Sequence, residues 1–170
     1  LSDGTGIVLH NRVAKRSVCV HELREESTLG EITMIKTKSI YEPISSEDGK
    51  RVLVMRWLPK QFMDANVTSG ISDALVLYAW IIELSPSVVL LTAWQCGKIL
   101  WPRFISMYLE EMTLPTPVRL INDLVALAAY GDITLLCAEA EQNPRCHRHL
   151  LKKLIDDQIA AAAHHALSGE

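Results

Sequence analysis

The stretch TPVRLINDLVALAAYGDITLLC, residues 116–137, contains the clearest helix of the chain and, directly after it, the clearest strand. Thr116 can cap the helix, Pro117 suits its first position, and Gly131 can end it in a left-handed conformation. The apolar stripe of this helix is formed by Val118, Ile121, Val125 and Ala128. We therefore predict a helix over 117–130.

The residues that follow the helix, Ile133 to Cys137, are apolar on both faces, as in a parallel strand covered by helices. Patterning elsewhere predicts strands over 31–40 and 51–55, a strand or helix start over 74–80, and helices over 87–99, 102–112 and from 144 onward. This order predicts an α/β fold, a single compact domain with a small, mostly parallel sheet flanked by helices.

Composition is that of one globular domain, with 49% hydrophobic residues in 170 and a formal charge of -3. Four cysteines without a paired pattern, and no signal-like opening, favour a reducing cytoplasm. The apolar run over 74–94 is not predicted to span a membrane, because Glu83 and the Ser85-Pro86-Ser87 break interrupt it. We expect an N-terminal arm over 1–33, loosely attached and followed by Met34 as a natural start, a domain over 34–155, and a C-terminal tail over 156–170 that frays from Ala160.

Two predicted strands deliver polar residues to the same edge of the sheet. Arg56 ends the strand over 51–55, with Lys60 shortly after, and Cys137 ends the strand over 133–137, with Glu139 next along. In open parallel sheets, ligands bind beyond the carboxyl ends of the strands. A helix that starts at Asn143-Pro144 would add its backbone N–H groups there. The pattern predicts a small anionic ligand, a phosphate or carboxylate, in a pocket faced by both Arg56 and Arg148.

Cys146 and His147 would lie in the first turn of that helix, where a lowered thiol pKa would suit a nucleophile. In this interpretation Glu139 is the acid or base. The alternatives stay open: Cys146 is a buried apolar residue, Arg56 pairs with an acid, and Glu139 or Glu141 compensates the helix arginines. A metal site would use Cys137, Cys146, His147 and His149. We predict none, because the spacing is not paired and two neighbouring helix positions point about 100° apart.

The chain resembles the YeaO-like family of unknown function (DUF488) from Met34 to about Ile155. The stretches that carry the resemblance are Arg51-Val52-Leu53-Val54-Met55-Arg56 with Pro59, Glu83-Leu84-Ser85-Pro86-Ser87, Phe104 with Tyr108 and Glu111, Thr134-Leu135-Leu136-Cys137 with Glu139, and Cys146-His147-Arg148. The chain departs from the family pattern at Lys60-Gln61, where Arg-Gly is expected. The resemblance implies a compact α/β domain of the bacterial and archaeal cytoplasm and names no reaction.

Three classes of function remain open from the sequence. The first is a small-ligand protein, or an enzyme, that uses Arg56, Lys60, Cys137 and Arg148 to hold an anion. The second is a nucleic-acid module that uses the basic residues of 145–153 with Lys36, Lys38 and Lys50, which the net charge disfavours. The third is an interaction protein without chemistry. The common phosphate-loop, GxSxG, HExxH and CxxC motifs are absent from the sequence.

Overall fold

The computed structural model describes residues 35–63 and 75–168. The predicted N-terminal arm over 1–33 lies outside these residues, as does the first part of the strand predicted over 31–40. The described chain forms an α/β domain, so the predicted fold class is confirmed.

The sheet has four strands, and every pairing is parallel. The strands are β1 (Ile35–Ser39), β2 (Lys50–Leu53), β3 (Ala79–Trp80) and β4 (Ile133–Cys137), in the spatial order β1-β4-β2-β3. β4 is therefore an inner strand. All five of its residues are buried, as expected for a strand that is apolar on both faces.

Four helices follow the predicted order, although their ends differ from the prediction. They are α1 (Val88–Gln95), α2 (Trp101–Glu111), α3 (Pro115–Ala128) and α4 (His147–Ser168). The run over 74–94 is broken as expected, by β3, by a 3₁₀ turn at Ile82–Leu84 and by Pro86 before α1. No helix among the described residues combines the length and apolarity needed to cross a bilayer.

Alternation along β2 and β4 divides the core between the two faces of the sheet. Val52, Ile133 and Leu135 pack against α2, α3 and α4 in the larger cluster. Leu53 and Leu136 point to the other face, where residues 55–62 and 75–77 cover them. The stripe predicted on α2, Phe104, Tyr108 and Met112, is buried in the larger cluster.

Two predictions about where helices begin are wrong. The helix predicted to begin after Thr116 begins at Pro115, because either proline can occupy a first-turn position. The last helix begins at His147 and not at Pro144, because Asn143 caps a turn instead, its Oδ1 accepting the N–H of Arg145 at 2.9 Å. α4 continues to Ser168 through alanines of high helix propensity, and the fraying expected from Ala160 stays a prediction.

The turn before β2 contains a buried ionic cluster that the sequence analysis missed. Asp48 is 5% exposed and forms ion pairs with Lys38 and Arg51. Burial raises the pKa of the Asp48 carboxyl, but Lys38, the Ser45 N–H and Arg51 outweigh it, and the net pKa is lowered. Gly49 follows with a φ of 60°, and the carbonyl of Asp132 lies 2.2 Å from where a Cβ would stand.

Candidate functional site

The loop from Ala138 to Cys146 joins the carboxyl end of β4 to α4, and Arg148 holds it from within. The Arg148 side chain is fully buried. Its Nη1 donates to the carbonyl of Glu139 at 2.7 Å, and its Nη2 donates to the carbonyl of Ala140 and to Glu141 Oε2, both at 2.9 Å. One of the alternatives left open by the sequence was that Glu139 or Glu141 compensates the charge of the helix arginines. Glu141 does so for Arg148, with which it forms an ion pair. The buried Nε of Arg148 has no hydrogen-bond partner in the described part of the chain.

A cluster of two thiols and an imidazole lies where β4, α4 and the end of β2 meet. Cys137 is the last residue of β4, Cys146 precedes α4, and His147 is the first residue of α4; all three are buried. Their ligand atoms, two Sγ and one imidazole nitrogen, all lie within 4.8 Å of one another. Both thiols are buried, and neither is in a disulfide.

Hydrogen bonding distinguishes the two thiols. Cys137 accepts a hydrogen bond from Cys146 and from the N–H groups of Ala138 and Glu139, so its pKa is lowered despite burial. The same contact with Cys137, together with burial, raises the pKa of Cys146. The nucleophile role predicted for Cys146 stays a prediction.

His147 is held by the end of β2. Its Nε2 lies 2.6 Å from the carbonyl of Val54, so the ring donates there and leaves Nδ1 facing Cys146 Sγ at 4.0 Å. Burial lowers the pKa of His147 to about 4, so the imidazole is neutral at pH 7. The Tyr108 ring packs against it in a T-shaped arrangement, and the Tyr108 hydroxyl donates to the carbonyl of Leu84.

The premise that excluded a metal at these residues is wrong. It assumed that Cys146 and His147 occupy successive helix positions about 100° apart. Cys146 instead stands just before α4, and its backbone lets Sγ approach the imidazole. His149, the fourth residue weighed in the sequence analysis, is outside the cluster, with its Nε2 at 3.2 Å from the carbonyl of Asn143.

A cavity of about 330 Å³ opens beside Arg56, three residues beyond β2. Nε of Arg56 donates to the carbonyl of Pro86 at 2.8 Å, and Nη2 donates to that of Ser85 at 3.4 Å. The other polar lining residues are Glu83, Ser85, Ser87, Glu111 and Thr116. Glu111 Oε2 accepts the N–H of Ser87 at 2.9 Å. Arg148 does not line this cavity. The cavity therefore does not support the predicted ligand pocket faced by both Arg56 and Arg148, which stays a prediction.

The remaining predicted site residues lie apart from this cavity. Lys60 is exposed in a 3₁₀ turn, and Glu139 is exposed with its carboxylate accepting from the side-chain amide of Asn143. The basic residues weighed for nucleic acid have acidic or carbonyl partners: Lys36 with Asp132, Lys38 with Asp48, Lys50 with the Tyr130 carbonyl, Lys152 with Asp156, and Lys153 with Asp157. The four ion pairs among these contacts reduce the positive charge of the predicted basic face.

Sequence reasoning missed Glu83, Ser85, Ser87 and Glu111 as site residues, although a signal for them was present. They belong to the stretches that carry the family resemblance. Periodicity gave no reason to bring them together, because two of the stretches lie on separate elements, the turn before α1 and the end of α2.

Comparison with known families gives one finding. The family model described as "Active DUF488-N3 subclade" matches residues 35–159, from β1 into α4, which confirms the resemblance to DUF488. No curated protein and no solved structure gives a significant match.

Proposed function

The chain belongs to the DUF488 family, and from that premise we propose that it binds a small ligand with an anionic group in the cavity beside Arg56. The observation that carries the proposal is that most of the cavity's polar lining comes from two of the stretches that carry the resemblance, together with Arg56 at the end of a third. Its position beyond the carboxyl end of a parallel strand is where ligands of such sheets bind.

The guanidinium of Arg56 is oriented before any ligand arrives. Its two hydrogen bonds to the carbonyls of Pro86 and Ser85 fix the plane of the group. A fixed guanidinium recognises the planar oxygens of a carboxylate, or the oxygens of a phosphate, at a low entropic cost. This orientation supports an anionic group on the ligand beside Arg56.

The carboxylates of the cavity restrict the rest of the ligand. Arg56 is accompanied by Glu83 and Glu111, so the charged lining is net negative, and a bare anion is a poor match. Glu111 Oε2 already accepts the N–H of Ser87. A hydroxyl or ammonium group on the ligand could donate hydrogen bonds to the other carboxylate oxygens of Glu83 and Glu111. We therefore propose a ligand that carries both an anionic group and a hydrogen-bond donor, as a zwitterion or a sugar phosphate does.

Thermal denaturation with small probes tests the proposal. Glycine, acetate and inorganic phosphate are compared with chloride at matched ionic strength, and glycine is expected to raise the melting temperature more than acetate. A probe at about 100 times its Kd adds about 2.7 kcal/mol to the free energy of unfolding.

Charge variants of the cavity make the test specific. Arg56→Lys should weaken binding of each probe, because it loses the planar donor pair. Glu111→Gln should strengthen binding of acetate and phosphate, because it removes a like charge. Arg103→Ala is the matched control, since Arg103 is exposed on α2 and does not line the cavity. Equal shifts for all probes and chloride, or equal shifts in wild type and Arg56→Lys, would reject the proposal.

A further inference from the structure

The buried cluster of Cys137, Cys146 and His147 lies outside the Arg56 cavity and has no part in the function proposed above. Two sulfur atoms and one imidazole nitrogen converge there from the end of β4, the end of the following loop and the start of α4. We propose that these three residues bind a zinc ion.

The side-chain separations are close to those of a zinc site. Zinc bound by thiolates at about 2.3 Å and by imidazole at about 2.0 Å, in tetrahedral geometry, holds its ligand atoms roughly 3.5 to 3.8 Å apart. Sγ of Cys146 and Nδ1 of His147 are 4.0 Å apart, and no pair in the cluster exceeds 4.8 Å. Movements of less than about 1 Å, within reach of rotamer adjustment, would close the site.

The imidazole is already in the tautomer that a metal requires. Nε2 of His147 donates to the carbonyl of Val54, so the lone pair is on Nδ1, on the side of the thiols. Metal-bound histidines usually donate their second ring nitrogen to such a carbonyl or to a carboxylate, which fixes the ring. The backbone at the end of β2 thus acts as the outer support of the site.

The donor set suits zinc, since two cysteine sulfurs and one histidine nitrogen are common zinc ligands. On binding, two Zn–S bonds form as the two S–H protons pass to solvent, and the imidazole coordinates through its Nδ1 lone pair without losing a proton. Three protein ligands leave the fourth coordination position for water or another donor.

The test uses the full chain and zinc itself. The chain is refolded with zinc chloride, passed over a desalting column and analysed for metal, and the metal-free chain is titrated with Co²⁺. We expect one zinc per chain, release of protons on binding, and thiolate-to-cobalt charge-transfer absorption. Cys146→Ser should abolish retention of zinc and the charge-transfer bands due to this sulfur, and Cys137→Ser provides a second variant if the first does not fold.

Two matched controls separate this site from adventitious binding. Cys96→Ser removes an exposed thiol elsewhere, and His149→Gln removes the neighbouring imidazole outside the cluster. Both should retain zinc at the wild-type stoichiometry. A folded wild-type chain that keeps no zinc, a folded Cys146→Ser chain that keeps it, or a loss of zinc in Cys96→Ser would overturn the proposal.

Discussion

Replacing Arg148 by alanine tests the inference that this side chain holds the loop after β4. The substitution removes three hydrogen bonds from a charged donor, and each such bond contributes about 1.5–3 kcal/mol in proteins. Part of this is recovered, because the guanidinium no longer has to be desolvated. The buried three-methylene stem contributes a further 2 kcal/mol or so, at about 0.8 kcal/mol per methylene.

The loss of stability in Arg148→Ala is limited by the behaviour of the Glu141 carboxylate. Its side chain is 32% exposed, so it can return to water when Arg148 is absent. We therefore expect Arg148→Ala to lower the free energy of unfolding by about 3–4 kcal/mol.

Urea unfolding followed by tryptophan fluorescence and circular dichroism measures this loss, provided that the two signals coincide. Arg145→Ala is the matched control, because Arg145 is an exposed arginine just before the same helix and should change stability by no more than about 0.5 kcal/mol. In a double-mutant cycle, Glu141→Gln should couple to Arg148→Ala by about 0.5–3 kcal/mol. A loss below about 1 kcal/mol for Arg148→Ala, or no coupling, would refute the assigned role.

Two further predictions concern the turn before β2. Gly49→Ala should destabilise the protein by at least about 2 kcal/mol more than Gly97→Ala. Both glycines have a positive φ, but of the two only Gly49 would bring a new Cβ against a carbonyl oxygen. Equal losses in the free energy of unfolding, measured in urea, would contradict this prediction. The pKa of Asp48 is lowered in the folded protein, so its contribution to stability is present above its unfolded pKa of about 3.9 and is lost as pH falls through the lower folded pKa. The free energy of unfolding of Asp48→Asn should therefore depend less on pH below about 4 than that of the wild type. The same pH dependence in both proteins would argue against the ion pairs with Lys38 and Arg51.

The sequence predicted the strand at Ile133–Cys137 at both ends because five consecutive buried positions follow directly on a glycine turn. It failed where two signals competed. Pro115 and Pro117 both suit a first helical turn, and Asn143 can cap either a helix or a tighter turn. Local chemistry does not choose between such options; the choice depends on which position lets α3 and α4 pack on the sheet.

The candidate site was less predictable than the fold. Strand ends placed Arg56 and Cys137 at one edge, and this followed from the parallel arrangement. The burial of Arg148 could not be predicted, since an arginine is rarely enclosed without partners and its partners here are mostly backbone carbonyls. Glu111 reaches the Arg56 cavity only through the packing of α2, which periodicity does not specify.

The inner position of β4 has a consequence for how the chain acquires its fold during synthesis. β1 and β2 do not pair with each other; both pair with β4, so that Ile35 and Lys50 share Ile133 as their partner. Until residue 137 has left the ribosome, the two earlier strands lack the strand that lies between them, and their facing edges expose unpaired backbone N–H and C=O groups. Contacts of such high sequence separation slow folding and lengthen the period in which aggregation competes with it. A nascent chain truncated before β4 should therefore depend on chaperones, while one extended through α4 should not.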